Sequence, residues 1–134
     1  DVSILNGKKV LLVEDNDLNM DIATDILEEF GLEVDKAENG SVALEKVKSC
    51  LESENVKEAI YDFILMDLQM PNMGGLDATK IIHEVHPDLP VIACSAYAFP
   101  EDMKKAKEVG CVDFLSKPVR LAELNKMLEK YLNK

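Results

Sequence analysis

The chain has 134 residues, 47% of them hydrophobic and 31% charged, with a formal net charge of -11. That length suits one domain with a core of its own, and no apolar run approaches the ~18–20 residues of a membrane span. Arg120 is the only arginine and the lysines are scattered among acids, which argues against direct binding to nucleic-acid phosphates.

The first apolar run, Val10-Leu11-Leu12-Val13, reads as a short strand and is followed at once by Glu14-Asp15-Asn16-Asp17, a cluster of helix-start residues. Leu18, Ile22, Ile26, Leu27 and Phe30 then recur at helical spacing, and Gly31 reads as the stop. Leu32 to Ala37 is a second strand with Val34 inward. Asn39-Gly40-Ser41 turns into a helix with Val42, Ala43, Val47, Cys50 and Leu51 on one face. Glu52 to Glu58 is polar and reads as loop or frayed helix, before a third strand over Ile60 to Met66.

Pro71 to Gly75 reads as a loop and Leu76 to Val85 as a helix carrying Leu76, Ile81, Ile82 and Val85. His86 falls at its end, in a surface or capping role. Val91 to Cys94 is a fourth strand. Pro100 sits at a favourable first-turn position of a helix closed by Gly110. Val112 to Leu115 is a fifth strand, and Leu121, Leu124, Leu128 and Leu132 mark a last amphipathic helix. Cys50, Cys94 and Cys111 are odd in number and lack CxxC spacing, so they read as reduced, buried thiols.

Five alternations of strand and helix, with apolar strands rather than period-2 patterns, predict a parallel sheet covered on both faces. Ligands of such sheets bind beyond the carboxyl ends of the strands. Those ends carry Glu14-Asp15, Asp67, Ser95 and Lys117-Pro118. If the first and third strands are neighbours, three carboxylates converge. Two of them about 5 Å apart repel by roughly 3 kcal/mol at an effective dielectric near 20, unless a cation sits among them. Oxygen-only donors favour a hard ion such as Mg²⁺. Lys117 and Ser95 are suited to the oxygens of a phosphoryl group, which makes Asp67 a candidate nucleophile forming an aspartyl phosphate.

The segments VLLVEDN, ILMDLQMPNMGG, VIACSA and FLSKP, in this order and spacing, resemble the receiver domain of two-component response regulators. The resemblance covers about Lys8 to Lys134, with residues 1–7 as a linker, and is nearest to the receivers of hybrid histidine kinases. It implies a flavodoxin-like (βα)5 three-layer sandwich with strand order 2-1-3-4-5.

By the same resemblance, Asp67 is the phosphoacceptor. Asp15, Asp67 and the Gln69 backbone carbonyl ligate Mg²⁺, for which Mn²⁺ can substitute, and Glu14 acts through water. Ser95 is the switch hydroxyl, Lys117 the phosphate-binding cation joined to Pro118 by a cis peptide, and Phe114 the aromatic switch. Gln69 and Tyr97 overhang the site and limit the access of water. The implied donor is a phosphohistidine on a histidine kinase or phosphotransfer domain. The implied response is a change in the surface around the fourth helix, fifth strand and fifth helix, with phosphorylation-dependent dimerisation a further expectation. A receiver also catalyses its own phosphorylation and dephosphorylation.

The chain is accordingly expected to be cytoplasmic, without membrane contact, and part of a hybrid kinase. The alternatives are a stand-alone regulator or a metal-dependent phosphatase. Against the last, Gln69 stands where such enzymes place a titratable acid.

Overall fold

The structure is a computed structural model that describes residues 5–68, 70, 74–96 and 99–132. Five strands, β1 (Lys9–Val13), β2 (Glu33–Ala37), β3 (Phe63–Asp67), β4 (Val91–Ser95) and β5 (Asp113–Ser116), form one sheet in the order β2-β1-β3-β4-β5. Every pairing is parallel. The helices are α1 (Asp17–Glu29), α2 (Gly40–Leu51), α3 (Val56–Ala59), α4 (Gly75–Val85), α5 (Pro100–Val109) and α6 (Leu121–Leu132). The flavodoxin-like arrangement with order 2-1-3-4-5 is therefore the observed one. One short helix, α3, forms at the end of the polar segment read as loop or frayed helix, and Asp67 and Ser95 are the last residues of their strands rather than the first beyond them.

β3 lies at the centre and is buried along its whole length. Its side chains alternate between two cores, as the period of two requires. Phe63 and Leu65 join Val10, Leu12, Leu27, Leu124 and Leu128 on one side of the sheet. Ile64 and Met66 join Leu11, Val13, Val47, Ala78, Ile82 and Ala106 on the other. Covering both faces is what lets the inner strands β1, β3 and β4 be almost wholly apolar. Leu5 is buried in the first of these cores, and the Gly7 amide donates to the Gly31 carbonyl at 2.8 Å.

Local chemistry starts and stops the helices much as expected. Asn16 and Asn39 are N-caps whose side chains accept from the amides of Asn19 and Val42, each at 2.9 Å. Pro100 opens α5, and Gly110, with φ of 114°, ends it in the left-handed conformation that glycine tolerates. His86 is the C-cap residue of α4.

The buried face of α1 differs from expectation. Met20, Thr24 and Leu27 turn inward, while Leu18, Ile22 and Phe30 are exposed, Leu18 at 67% and Ile22 at 51%. An apolar stripe at i, i+4 spacing tells which residues share a face, but not which face meets the sheet. Val85, likewise placed on the apolar face of its helix, is exposed.

Candidate phosphoryl-accepting site

Parallel register carries the chemistry to one corner. Val13 pairs with Met66, so Glu14 and Asp15 follow β1 beside Asp67 at the end of β3. Asp67 pairs with Cys94, and Ser95 with Ser116, which brings the β4 and β5 ends alongside. The Lys117 amide donates to the Ser95 carbonyl at 2.8 Å, and the Lys117–Pro118 peptide is cis. Backbone bonds fix the flanks: the Glu14 amide donates to Ala37 O at 3.0 Å, and the Leu68 amide to Cys94 O at 3.1 Å.

Glu14, Asp67 and Ser95 are 6%, 3% and 1% exposed, respectively, whereas Asp15 faces solvent. Carboxylate oxygens of Glu14, Asp15 and Asp67 lie within 4.8 Å of one another. The Lys117 ammonium stands 2.5 Å from Glu14 Oε1 and 3.2 Å from Asp67 Oδ2. Burial works against its charge, but the hydrogen bond to Glu14 and the attraction of Asp67 and Glu14 outweigh it, so the Lys117 pKa is raised. Two buried carboxylates thus share one fixed cation, and with Asp15 the cluster keeps an excess of negative charge. Three oxygen donors, no nitrogen or sulfur ligand among them, and one carboxylate open to solvent suit a hard, partly hydrated cation such as Mg²⁺.

Glu14 takes a place the sequence does not reveal. One of its oxygens meets Lys117 and the other accepts from the Asn16 amide at 3.2 Å, so it ties the lysine to the start of α1. The pairing spans 103 positions, beyond the reach of any local motif. Phe114 is half-buried, lies in register with Ala93 and packs against the core beneath α4 and α5. Gln69 and Tyr97, expected to overhang the site, lie outside the described residues.

A groove of about 380 Å³ runs from Asp67 and Lys117 along Ile22 and Ile26 of α1 to Pro118 and Val119, and its walls are mainly apolar. Cys94 lines its floor, where burial, only partly opposed by Lys117, pushes the thiol pKa up to about 12. It is therefore a packing residue rather than a nucleophile at neutral pH.

A doubly wound parallel sheet with an acidic pocket and a lysine at its carboxyl edge defines a class of flavodoxin-like α/β domains. Within it, the response regulator receiver domain pattern matches residues 10–129, and the chain belongs to that family, the receiver domains of two-component signalling. It is 34% identical to the polar-differentiation response regulator DivK of Brucella anthropi, over 93% of this chain and 96% of that protein. It is 37% identical to hybrid signal transduction histidine kinase L of Dictyostelium discoideum, over 98% of this chain and 8% of the kinase. The chain thus spans less than a tenth of the hybrid kinases it resembles. Among solved structures, the receiver domain of the Arabidopsis thaliana histidine kinase CKI1, complexed with Mg²⁺ and BeF₃⁻, superposes with a TM-score of 0.85 at 31% identity, covering 97% of this chain and 93% of that one.

Proposed function

We propose that this domain is a phospho-accepting switch with Asp67 as the acceptor. The observation that carries the reading is a buried carboxylate at the end of the central strand, 3.2 Å from the Lys117 ammonium and clustered with Glu14 and Asp15. A phosphohistidine on a histidine kinase or phosphotransfer domain is the donor. An Asp67 oxygen attacks phosphorus, the P–N bond breaks, and the ring, protonated on its other nitrogen, leaves with the bonding pair as neutral imidazole. The carboxylate attacks as the anion, so no base on the protein is needed.

Asp15 and Asp67 would hold Mg²⁺, with Glu14 close by and the Gln69 carbonyl completing the set; the ion would supply positive charge to the transferring oxygens. Lys117 binds a phosphoryl oxygen, and the Ser95 hydroxyl donates to another. These contacts exist only in the phosphorylated state, so they favour an arrangement in which Ser95 has moved toward the phosphate and Phe114 turns inward. The surface formed by α5, β5 and α6 changes with it. Placement in the cytoplasm, where the phosphohistidine is made, follows from this reading.

Asp67→Asn should abolish Mg²⁺-dependent incorporation from radiolabelled acetyl phosphate. Label retained in that variant would exclude Asp67 as the acceptor.

A further inference from the structure

The peptide that joins Asp67 to Leu68 is gripped from two sides. Its N–H, on Leu68, donates to Cys94 O of β4 at 3.1 Å. Its carbonyl end lies against Gly75, the first residue of α4. A Cβ built on Gly75 would fall well inside contact distance of Asp67 O, 3.0 Å from Leu68 Cα and 3.1 Å from the Asp67 carbonyl carbon. Gly75 carries none of the positive φ found at Gly7, Gly31 and Gly110. Glycine is required here for proximity rather than for backbone conformation.

One turn further along α4, Thr79 is fully buried, and its hydroxyl donates to Gly75 O at 2.7 Å. The Cys111 thiol donates weakly to the same hydroxyl at 3.9 Å. Beyond it on α4, His83 packs on Gly110, where an added Cβ would lie 2.6 Å from the imidazole. The helix is therefore wedged lengthwise between the backbone of Asp67 and the turn that leads into β5.

We infer that Gly75 and Thr79 are positioning residues for phosphoryl transfer: Thr79 sets the first turn of α4, and the bare Cα of Gly75 sets the Asp67–Leu68 peptide against it. The inference rests on Asp67 being the acceptor. The aim of the Asp67 carboxylate depends on how its backbone is held as well as on its ion pair with Lys117, because the side chain has two rotatable bonds. Neither residue touches the reacting atoms; both act through the Asp67 backbone.

The test combines labelling by acetyl phosphate with the amide resonances of Asp67 and Leu68 in the metal-free protein. Since misplacement by 1 Å costs about 100-fold in rate, Thr79→Val should slow labelling about tenfold and Gly75→Ala about 100-fold. In both variants the two amides should shift, while those of β2 stay in place. Thr79→Ser keeps the hydroxyl and should restore both readouts. A role confined to stability would lower the melting temperature of Thr79→Val but leave the Asp67 amide and the labelling rate of the folded protein unchanged, and that outcome overturns the inference. Failure of Thr79→Ser to restore the readouts also overturns it. Should Gly75→Ala not fold, the Thr79 pair decides alone. Label retained by Asp67→Asn defeats the acceptor assignment, whereas a silent Asp67→Asn beside a wild-type-like Thr79→Val defeats only the positioning role.

Discussion

Lys117 faces two carboxylates with one ammonium, and Asp15 stands outside that pairing, exposed to solvent. Substituting Asp15 should therefore leave the fold intact and remove a metal donor. In the wild type, a divalent ion at 100 times its Kd would stabilise the domain by about 2.7 kcal/mol. Asp15→Asn should lose most of that gain, read as a much smaller rise in melting temperature on adding Mg²⁺. An unchanged rise would show that Asp15 is not a ligand. In the middle of the edge strand β2, Asp35 accepts from Lys46 at 2.8 Å and from the Tyr61 hydroxyl at 2.5 Å. Burial disfavours its charge, but these two bonds, the Lys36 amide and the Lys46 charge together outweigh that and lower its pKa below the ordinary 3.8. Its contribution to stability is accordingly complete above the ordinary value and fades as pH falls through the depressed one. Asp35→Asn should flatten the decline of the urea midpoint below pH 4. The effect is small, because the carboxylate is 42% exposed and screened by water.

At the level of the elements, caps and faces separate cleanly. Asn39 bonds the Val42 amide at the start of α2, far in function from Asp67. Asn39→Ala should cost about 1 kcal/mol in denaturant unfolding and leave the labelling rate of the folded protein unchanged. Along α1, Leu27 is buried and Leu18 exposed. Leu27→Ala should cost about 2–5 kcal/mol, while Leu18→Ser should stay within about 0.5 kcal/mol of wild type. Equal losses would reverse the face assigned to this helix. The apolar spacing of α1 was plain in the chain, yet its inward residues were not, because Met20 and Thr24 are chosen by the height and tilt at which the helix lies on β1 and β2. For α6 the two agree: Leu124 and Leu128 were expected inward and are fully buried, since the apolar residues there form a single narrow stripe.

Across the whole molecule, the two cores on either side of the sheet shield the thiols unequally. Cys94 and Cys111 are buried, with pKa values pushed by burial up to about 12 and about 11, while Cys50 is half-buried on α2. Only the thiolate reacts, so native protein at pH 8 should take one equivalent of iodoacetamide readily, at Cys50, and three once unfolded in urea. Rapid loss of all three thiols from native protein would contradict the packing of β4 and of the turn before β5.

The amino-acid sequence alone determined the alternation of strands and helices and the identity of the residues at each strand end. Those features are local: an apolar run of four or five residues, a capping asparagine, a glycine stop. It also contained the acids and the lysine of the site, because a parallel sheet places every strand's carboxyl end on one edge and so makes those positions equivalent. Only the tertiary structure decided which partners those residues choose. Glu14 reaches Lys117 across 103 positions, and Gly75 abuts Asp67 instead of merely closing a loop. Contacts between distant segments are set by how helices seat on the sheet, to within a fraction of an ångström, and no spacing along the chain encodes that distance.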